Sequence, residues 1–388
     1  MSSKKIDCLT EIDNLHDGRA VWARLGANTS LIPSRKYPSQ SSRMRRFLLL
    51  GAMLTAVFCR QAAQSPGIQK TIEARAFIDL DHREPPIRVP YQHNNPFFVH
   101  EDLSVDIVDY SNHRICCFDR AGQLKSTIGG IGQQENDLYN PVGIYGKGNL
   151  LFILNREGQE LKIFERNGKF LASFGLGDSY FGACSLVVSE TEIIIPVPKW
   201  KKEIEPMDAQ PLLSVFDYSG RKIREIGKTI PCRTAFSNWI FNSAYLHLSG
   251  KTLYGAFRNL PIIFAYNLSG KEIYFRDLRI TGYPEIAKLL DRGREIQADS
   301  PDHVADERGI RAVVFSRGIA CLDDQLYYAM QGGGILIFDK SGDVIGRRYL
   351  SSDEKMINLD FFQIVSGKKI YGLGRHPQTK SQVLFKTR

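Results

Sequence analysis

The chain has 388 residues and a formal net charge of +9, yet residues 1–60 hold ten Lys and Arg against four Asp and Glu, so the remainder carries only +3. Phosphate recognition needs a concentrated basic surface, and a nearly balanced main region excludes nucleic acid as the expected partner. Seven cysteines with no C-x-x-C spacing offer no disulfide framework.

In chain order, residues 1–43 are polar, carry Pro38, Ser39, Ser41 and Ser42 near their end, and show no repeat. They read as an extension without a fold of its own, and one reading starts translation at Met44. Met44-Arg45-Arg46 then precedes the apolar run Phe47 to Phe58, a basic flank and a length suited to a secretory signal but short for a bilayer span. Cys59, directly after the run, resembles the modified cysteine of a bacterial lipoprotein, although Phe58 is bulkier than the small residue preferred there. A cleaved signal, a lipid anchor and a retained anchor over 44–62 stay open. All three imply export to the periplasm or cell envelope, and the two anchored forms add membrane association through this segment.

From residue 63 to 388 a repeat dominates: a hydrophobic strand ending in an aromatic, a short polar turn, Gly, and a second strand. The copies are Ile115 to Asp119 with Gly122, Leu161 to Glu165 with Gly168, Leu213 to Asp217 with Gly220, Ile262 to Tyr266 with Gly270, and Ile335 to Asp339 with Gly342. All intervals but the last lie near the roughly 40 to 50 residues of a four-stranded propeller blade. In the first copy, Phe97 to Glu101 and Ser104 to Asp109 precede the marker strand and Gln123 to Ile128 follows it, with the alternation and turn residues of short antiparallel strands. Gly122 supplies the positive φ that the hairpin requires.

A sixth blade is incomplete at the C-terminus, where Phe361 to Val365, Lys369 to Leu373 and Gln382 to Lys386 give three strands. Thr71 to Ile78 has strand character and no blade, so it is expected to supply the missing strand beside Gln382 to Lys386 and close the ring. Closure leaves no long seam of unpaired backbone. The fold class expected is therefore all-β: a six-bladed β-propeller of four-stranded antiparallel blades, closed by an N-terminal strand. Pro284 to Arg292, with Ile286, Leu289 and Leu290 at helical spacing, adds a short helical insertion, either a lid or partner surface or an excursion packed on the rim.

Asp109-Tyr110-Ser111-Asn112-His113-Arg114-Ile115, with Phe118-Asp119, Gly122, Gly129 to Gly132 and Asn140 to Ile144, resembles the signature of NHL-repeat propellers. Later blades keep the aromatic-turn-glycine core and lose the Asn-His-Arg triplet. The resemblance implies a six-bladed, funnel-shaped propeller, usually a binding scaffold and in a minority of relatives an enzyme; fold alone does not decide between them.

Loops carry specificity on such a scaffold. Arg156, Arg258 and Arg375 fall at related positions just after second strands, where three guanidinium groups could face one pocket and suit a carboxylate or phosphate; solvated loop arginines are the plain alternative. His376 adjoins Arg375. Trp200, in the insertion Pro196 to Pro211, could stack on a ligand or simply pack on the rim.

His93, His100, His113, His247, His303 and His376 occupy unlike repeat positions and do not suggest a metal centre, which needs about three convergent ligands. No nucleophile elbow, Walker loop or H-E-x-x-H helix is present, so no catalytic residue and no cofactor is expected. Adjacent Cys116 and Cys117 point to opposite faces of their strand, a core cysteine beside a more exposed one rather than a redox pair. The favoured reading is a noncatalytic extracytoplasmic scaffold that recognises a protein, peptide or glycan, anionic if the arginines converge. The alternative is a metal-dependent propeller hydrolase or lyase with an axial site.

Overall fold

The computed structural model describes residues 69–89, 95–132, 134–177, 185–196, 209–231, 235–281, 283–284, 286–291, 314–332, 334–352, 355–357, 359–365 and 369–387, all within the compact unit Pro66–Arg388. The extension 1–43, the apolar segment with Cys59, His93, Trp200 and His303 lie outside the described residues.

The protein has an all-β, propeller-like fold. After β1 (Gln69–Asp79) come four four-stranded antiparallel sheets. The first holds β2 (Phe97–Val99), β3 (Val105–Asp109), β4 (Arg114–Phe118) and β5 (Leu124–Gly129), and the second β6 (Pro141–Lys147), β7 (Leu150–Asn155), β8 (Glu160–Glu165) and β9 (Phe170–Gly175). The third comprises β10 (Val187–Val188), β11 (Glu192–Pro196), β12 (Pro211–Asp217) and β13 (Lys222–Lys228). Helix α1 (Ala235–Asn242) leads to the fourth: β14 (Ala244–Ser249), β15 (Thr252–Phe257), β16 (Ile262–Asn267) and β17 (Glu272–Asp277).

The remaining strands form one nine-stranded sheet. It contains β18 (Ser316–Leu322), β19 (Gln325–Met330), β20 (Gly334–Phe338), β21 (Val344–Ser352), the short β22 (Lys355–Met356), β23 (Leu359–Val365), β24 (Lys369–Arg375) and β25 (Gln382–Thr387). β1 joins its halves. Gln69 to Glu73 pair parallel with Arg347 to Ser351 of β21, then Ala74 to Asp79 pair antiparallel with Val383 to Thr387 of β25. The partner expected for Thr71 to Ile78 is therefore present, and the parallel contact with β21 is an addition that the sequence did not announce.

First strands touch in a closed order: β2 on β6, β6 on β10, β10 on β14, β14 on β18, β18 on β23, and β23 on β2. Apolar clusters fill the spaces between neighbouring sheets, as with Val108, Ile115 and Ile128 against Ile144, Ile153 and Phe164. Each sheet is thus apolar on both faces, which is why the marker strands read as continuous hydrophobic runs rather than alternating ones. At the centre, the Phe361 ring lies 5.2 Å from Phe97 and 6.2 Å from Tyr245, so side chains from three separate first strands meet.

The repeated turn is a three-residue hairpin loop with a glycine bulge. In the first copy Gly122 N donates to Asp119 O and Asp119 N to Gln123 O, and the register shifts at Cys117/Phe118. All five marker glycines have positive φ, from 82° at Gly122 to 92° at Gly168. In three copies the aspartate before the turn caps it: Asp119 Oδ1 accepts from the backbone of Ala121 and Gln123, Asp217 Oδ1 from that of Ser219 and Arg221, and Asp339 Oδ1 from that of Ser341 and Asp343, while Asn267 Oδ1 accepts from Lys271 N in the fourth copy. Each turn also leans on the last strand of the preceding sheet, Gly168 on Ile128, Gly220 on Phe174, Gly270 on Ile226, Gly342 on Tyr274, and Gly122 on Phe77 and Ile78 of β1.

The described residues of 284–291 are helical. Ile286 is buried in the large core cluster and Leu290 packs against it, so this excursion is anchored to the fold through the expected apolar positions.

Candidate functional site

Four antiparallel strands fix which loops share a face. Turns between second and third strands, and the connections from sheet to sheet, emerge on one side, the connection face. Turns joining first to second and third to fourth strands emerge on the other, the hairpin face. Arg156 follows β7, Arg258 follows β15, and Arg375 is the last residue of β24 rather than the first beyond it, so all three belong to the connection face.

The structure gives these arginines different surroundings. Arg156 is held through its backbone, its N–H donating to Asn140 O and its carbonyl accepting from Gln159. The Arg258 carbonyl accepts from both Phe315 and Ser316, which sets the start of β18. Arg375 is exposed, and its charge bears on Asp360. His376 is a turn residue: its Nδ1 accepts from the backbone of Gln378 and Thr379, and its ring stacks on Phe385 at 6.2 Å.

Two groups that sequence reasoning passed over complete the cluster around Arg375. The register shifts between Ser316 and Gly318 in β18 and between Leu359 and Phe361 in β23, so Arg317 and Asp360 are the extra residues of equivalent bulges. A bulge re-aims its side chain. Arg317 Nη1 lies 3.6 Å from Asp360 Oδ1, with side chains only 17% and 24% exposed, and Arg317 Nε donates to Gln331 Oε1. Burial pushes the Asp360 carboxyl up, against the opposing pull of Arg317 and then Arg375. The matching bulge of β6 holds Val142, which explains why the repeat pattern hid this position.

The segment 109–115 forms a clamp. Asp109 is fully buried, and its carboxylate accepts from Arg88 N at 3.1 Å, Asn112 Nδ2 at 2.8 Å and Arg114 Nε at 2.9 Å. His113 Nδ1 accepts from Asn140 N at 3.0 Å, fastening this turn to the second sheet. Asn155 occupies the corresponding place in that sheet, accepting from Tyr139 N at 2.6 Å and donating to Glu160 at 2.8 Å. Deeper in, His100 and Asp106 form a buried pair at 2.6 Å.

Burial pushes the Cys116 thiol up to about 12, and Cys117 is likewise raised by burial first and then by Asp106, so neither is a thiolate at neutral pH. Cys116 is buried and Cys117 half-buried, as their alternation implies. Among the described residues no three His, Cys, Asp or Glu side chains converge as metal ligands, and no helix is long and apolar enough to cross a membrane.

On the hairpin face an open cleft of about 730 Å³ is lined by residues that include Lys147, Glu190, Arg224, Leu248 and Lys251. Its guanidinium is engaged: Arg224 grips both oxygens of Glu192 and donates to Leu268 O.

No protein-family model matches the chain, and no curated protein does. Among solved structures it is similar to a Bacteroides fragilis protein named as exported, at 11% identity over 84% of this chain and 97% of that one, with a TM-score of 0.54. It is less similar to a member of the DUF4221 family from Bacteroides vulgatus, at 10% identity, 82% and 98% coverage and a TM-score of 0.49. For virginiamycin B lyase from Staphylococcus aureus the values are 11% identity, 76% and 79% coverage and 0.45. At such identity the first likeness speaks for the fold alone, and the two weaker ones add nothing to it.

Proposed function

We propose that the chain is a six-bladed, NHL-like propeller acting outside the cytoplasm as a noncatalytic scaffold for a protein, peptide or glycan, held through the connection face. The count of six is supported by the closed order of first strands and by the turns, each seated on the sheet before it, with β1 serving as the seat for Gly122. The NHL likeness is supported by the Asp109 clamp. The basic and apolar segment Met44 to Phe58 supports export, in keeping with a structural relative that is named as exported.

One observation carries the binding reading: the long connections, 197–210 between β11 and β12, 229–243 around α1, and 278–315 ahead of β18, all leave one face. Among the described residues the opposite face has only tight turns. Length concentrated on a rigid rim is the arrangement of a recognition surface. A photoreactive residue placed at Gln378 on the connection face, and separately at Ser269 on the hairpin face, tests this in cell-envelope preparations. Cross-links from 378 and not from 269 are expected; equal yields, or yields from 269 alone, would overturn the reading.

A further inference from the structure

The third and fourth sheets leave open a space that side chains fill at the two interfaces before it. Two residues ahead of the turn glycine of the second sheet, Arg166 reaches back to the first, its guanidinium 3.3 Å from Asp102 Oδ2 and donating to Ser104 Oγ at 2.6 Å. In the third sheet Tyr218 holds that place, with its ring 5.4 Å from Phe152 of the second. In the fourth sheet the place belongs to Leu268, whose N–H donates to Lys251 O just as Arg166 N donates to Asn149 O. Leucine has neither the reach nor the donors of arginine, and here the hairpin-face cleft of about 730 Å³ stays open.

The charges lining this cleft do not balance. Arg224 is neutralised by Glu192, whose two oxygens it grips, and Lys147 by Glu190 at 2.5 Å. Among the described residues no carboxylate pairs with Lys251, so three cations face two carboxylates and one positive charge is left over. Glu190 is 84% exposed, which leaves its pair with Lys147 in water, where such a pair is worth little. Leu248 and Leu268 are half-buried and give the cleft an apolar wall.

We propose that this cleft binds a small monoanionic molecule with an apolar body, its anionic group on Lys251 and its body against Leu248 and Leu268. The volume falls inside the roughly 300 to 1,000 Å³ of small-molecule sites, which join an apolar lining to a few placed polar groups. A dianion leaves its second charge unanswered beside Glu190 and Glu192 and is disfavoured. A cation meets carboxylates that Arg224 and Lys147 already engage. The site is independent of the connection-face reading, and a small ligand in it leaves no macromolecular cross-link at Ser269.

Isothermal titration calorimetry of 2-naphthoate against the full chain at pH 7 tests the proposal. The neutral 2-naphthamide, the cationic 2-naphthylmethylammonium and sodium sulfate are titrated in parallel, and 2-naphthoate is expected to bind best of the four. K251Q is expected to weaken it about five- to tenfold and L268S about threefold. K340Q removes an exposed lysine from the turn of the fifth sheet on the same face and is expected to change affinity less than about twofold. Lys251 is exposed, so K251Q keeps the test decisive if L268S misfolds.

No binding of 2-naphthoate, unchanged affinity in K251Q, or an equal loss in K340Q overturns the proposal. Naphthamide bound as tightly as naphthoate overturns the role of the charge, and tighter binding of the ammonium overturns its sign. Sulfate bound as tightly as naphthoate overturns the role of the apolar wall and the one-charge limit.

Discussion

Gly220 and the Phe174 ring compete for one space: a β-carbon on Gly220 would stand 2.3 Å from Phe174 Cγ, and Gly220 also holds φ at +85°. Gly220→Ala therefore forces a backbone change and a displaced aromatic together, an expected loss of about 2–4 kcal/mol. At Gly168 the nearest atom to an added β-carbon is Ile128 Cγ1 at 3.5 Å, an ordinary contact, so Gly168→Ala carries only the positive-φ cost of about 1–2 kcal/mol. Urea unfolding of the two variants checks the difference. Equal losses would mean that the turns do not bear on the preceding sheet.

Closure by β1 can be tuned from its surface. Arg75 and Lys386 are Cα partners across the β1–β25 ladder, and the Lys386 ammonium is pushed down by burial and then by Arg75. Lys386 Nζ also lies 5.0 Å above the Phe77 ring and 5.3 Å from that of Tyr371. Like charges directly opposite are unfavourable in a sheet, so Arg75→Glu is expected to raise stability by about 0.5–1 kcal/mol. The gain should vanish when Lys386 is also changed to Gln. A loss of stability in Arg75→Glu alone would show that the ladder does not feel this pair.

The five marker strands and their glycines were legible because each encodes a local requirement: an aromatic that packs between sheets, an Asp or Asn side chain that caps the turn and a residue able to hold positive φ. The partner of Thr71 to Ile78 was legible by elimination, since β25 lacked a neighbour. The contact of Gln69 to Glu73 with β21 was not, because parallel pairing far apart in sequence leaves no local trace. Site residues fared similarly. Arg258 and Arg375 stand out beside second strands, but Arg317 and Asp360 owe their placement to bulges, where one extra residue breaks the alternation that marks a strand.

The Asp109 clamp is expected to be the least tolerant polar position in the first sheet. Its buried carboxylate answers donors from Arg88, Asn112 and Arg114, and Asp109→Ala leaves the partly buried Arg114 charge without its partner. A loss of about 3–5 kcal/mol is expected. Asp109→Asn retains one acceptor oxygen and should lose less. Thermal unfolding of both variants decides the matter, and a loss under about 1 kcal/mol in Asp109→Ala would reduce the motif to a turn signature.

Acid sensitivity should begin with His247. Burial pushes this imidazole down to about 4, only partly offset by its contact with the Cys321 backbone. Its folded value lies below the unfolded one of about 6.5, so the unfolded chain takes up the proton first as pH falls. Stability is then full above about pH 6.5 and is lost toward pH 4. Because the side chain is only half-buried, a loss of about 1–2 kcal/mol is expected across this window rather than the full value of the shift. The carboxylates act lower. Burial works to raise Asp102, but hydrogen bonds from Ser104 and then the charge of Arg166 outweigh it and bring it to about 2, so its contribution is lost only as pH falls from about 4 toward 2. Urea midpoints at pH 7 and pH 4.5 should therefore differ in the parent chain and converge in His247→Gln. An undiminished drop in that variant would place the first acid-sensitive group elsewhere.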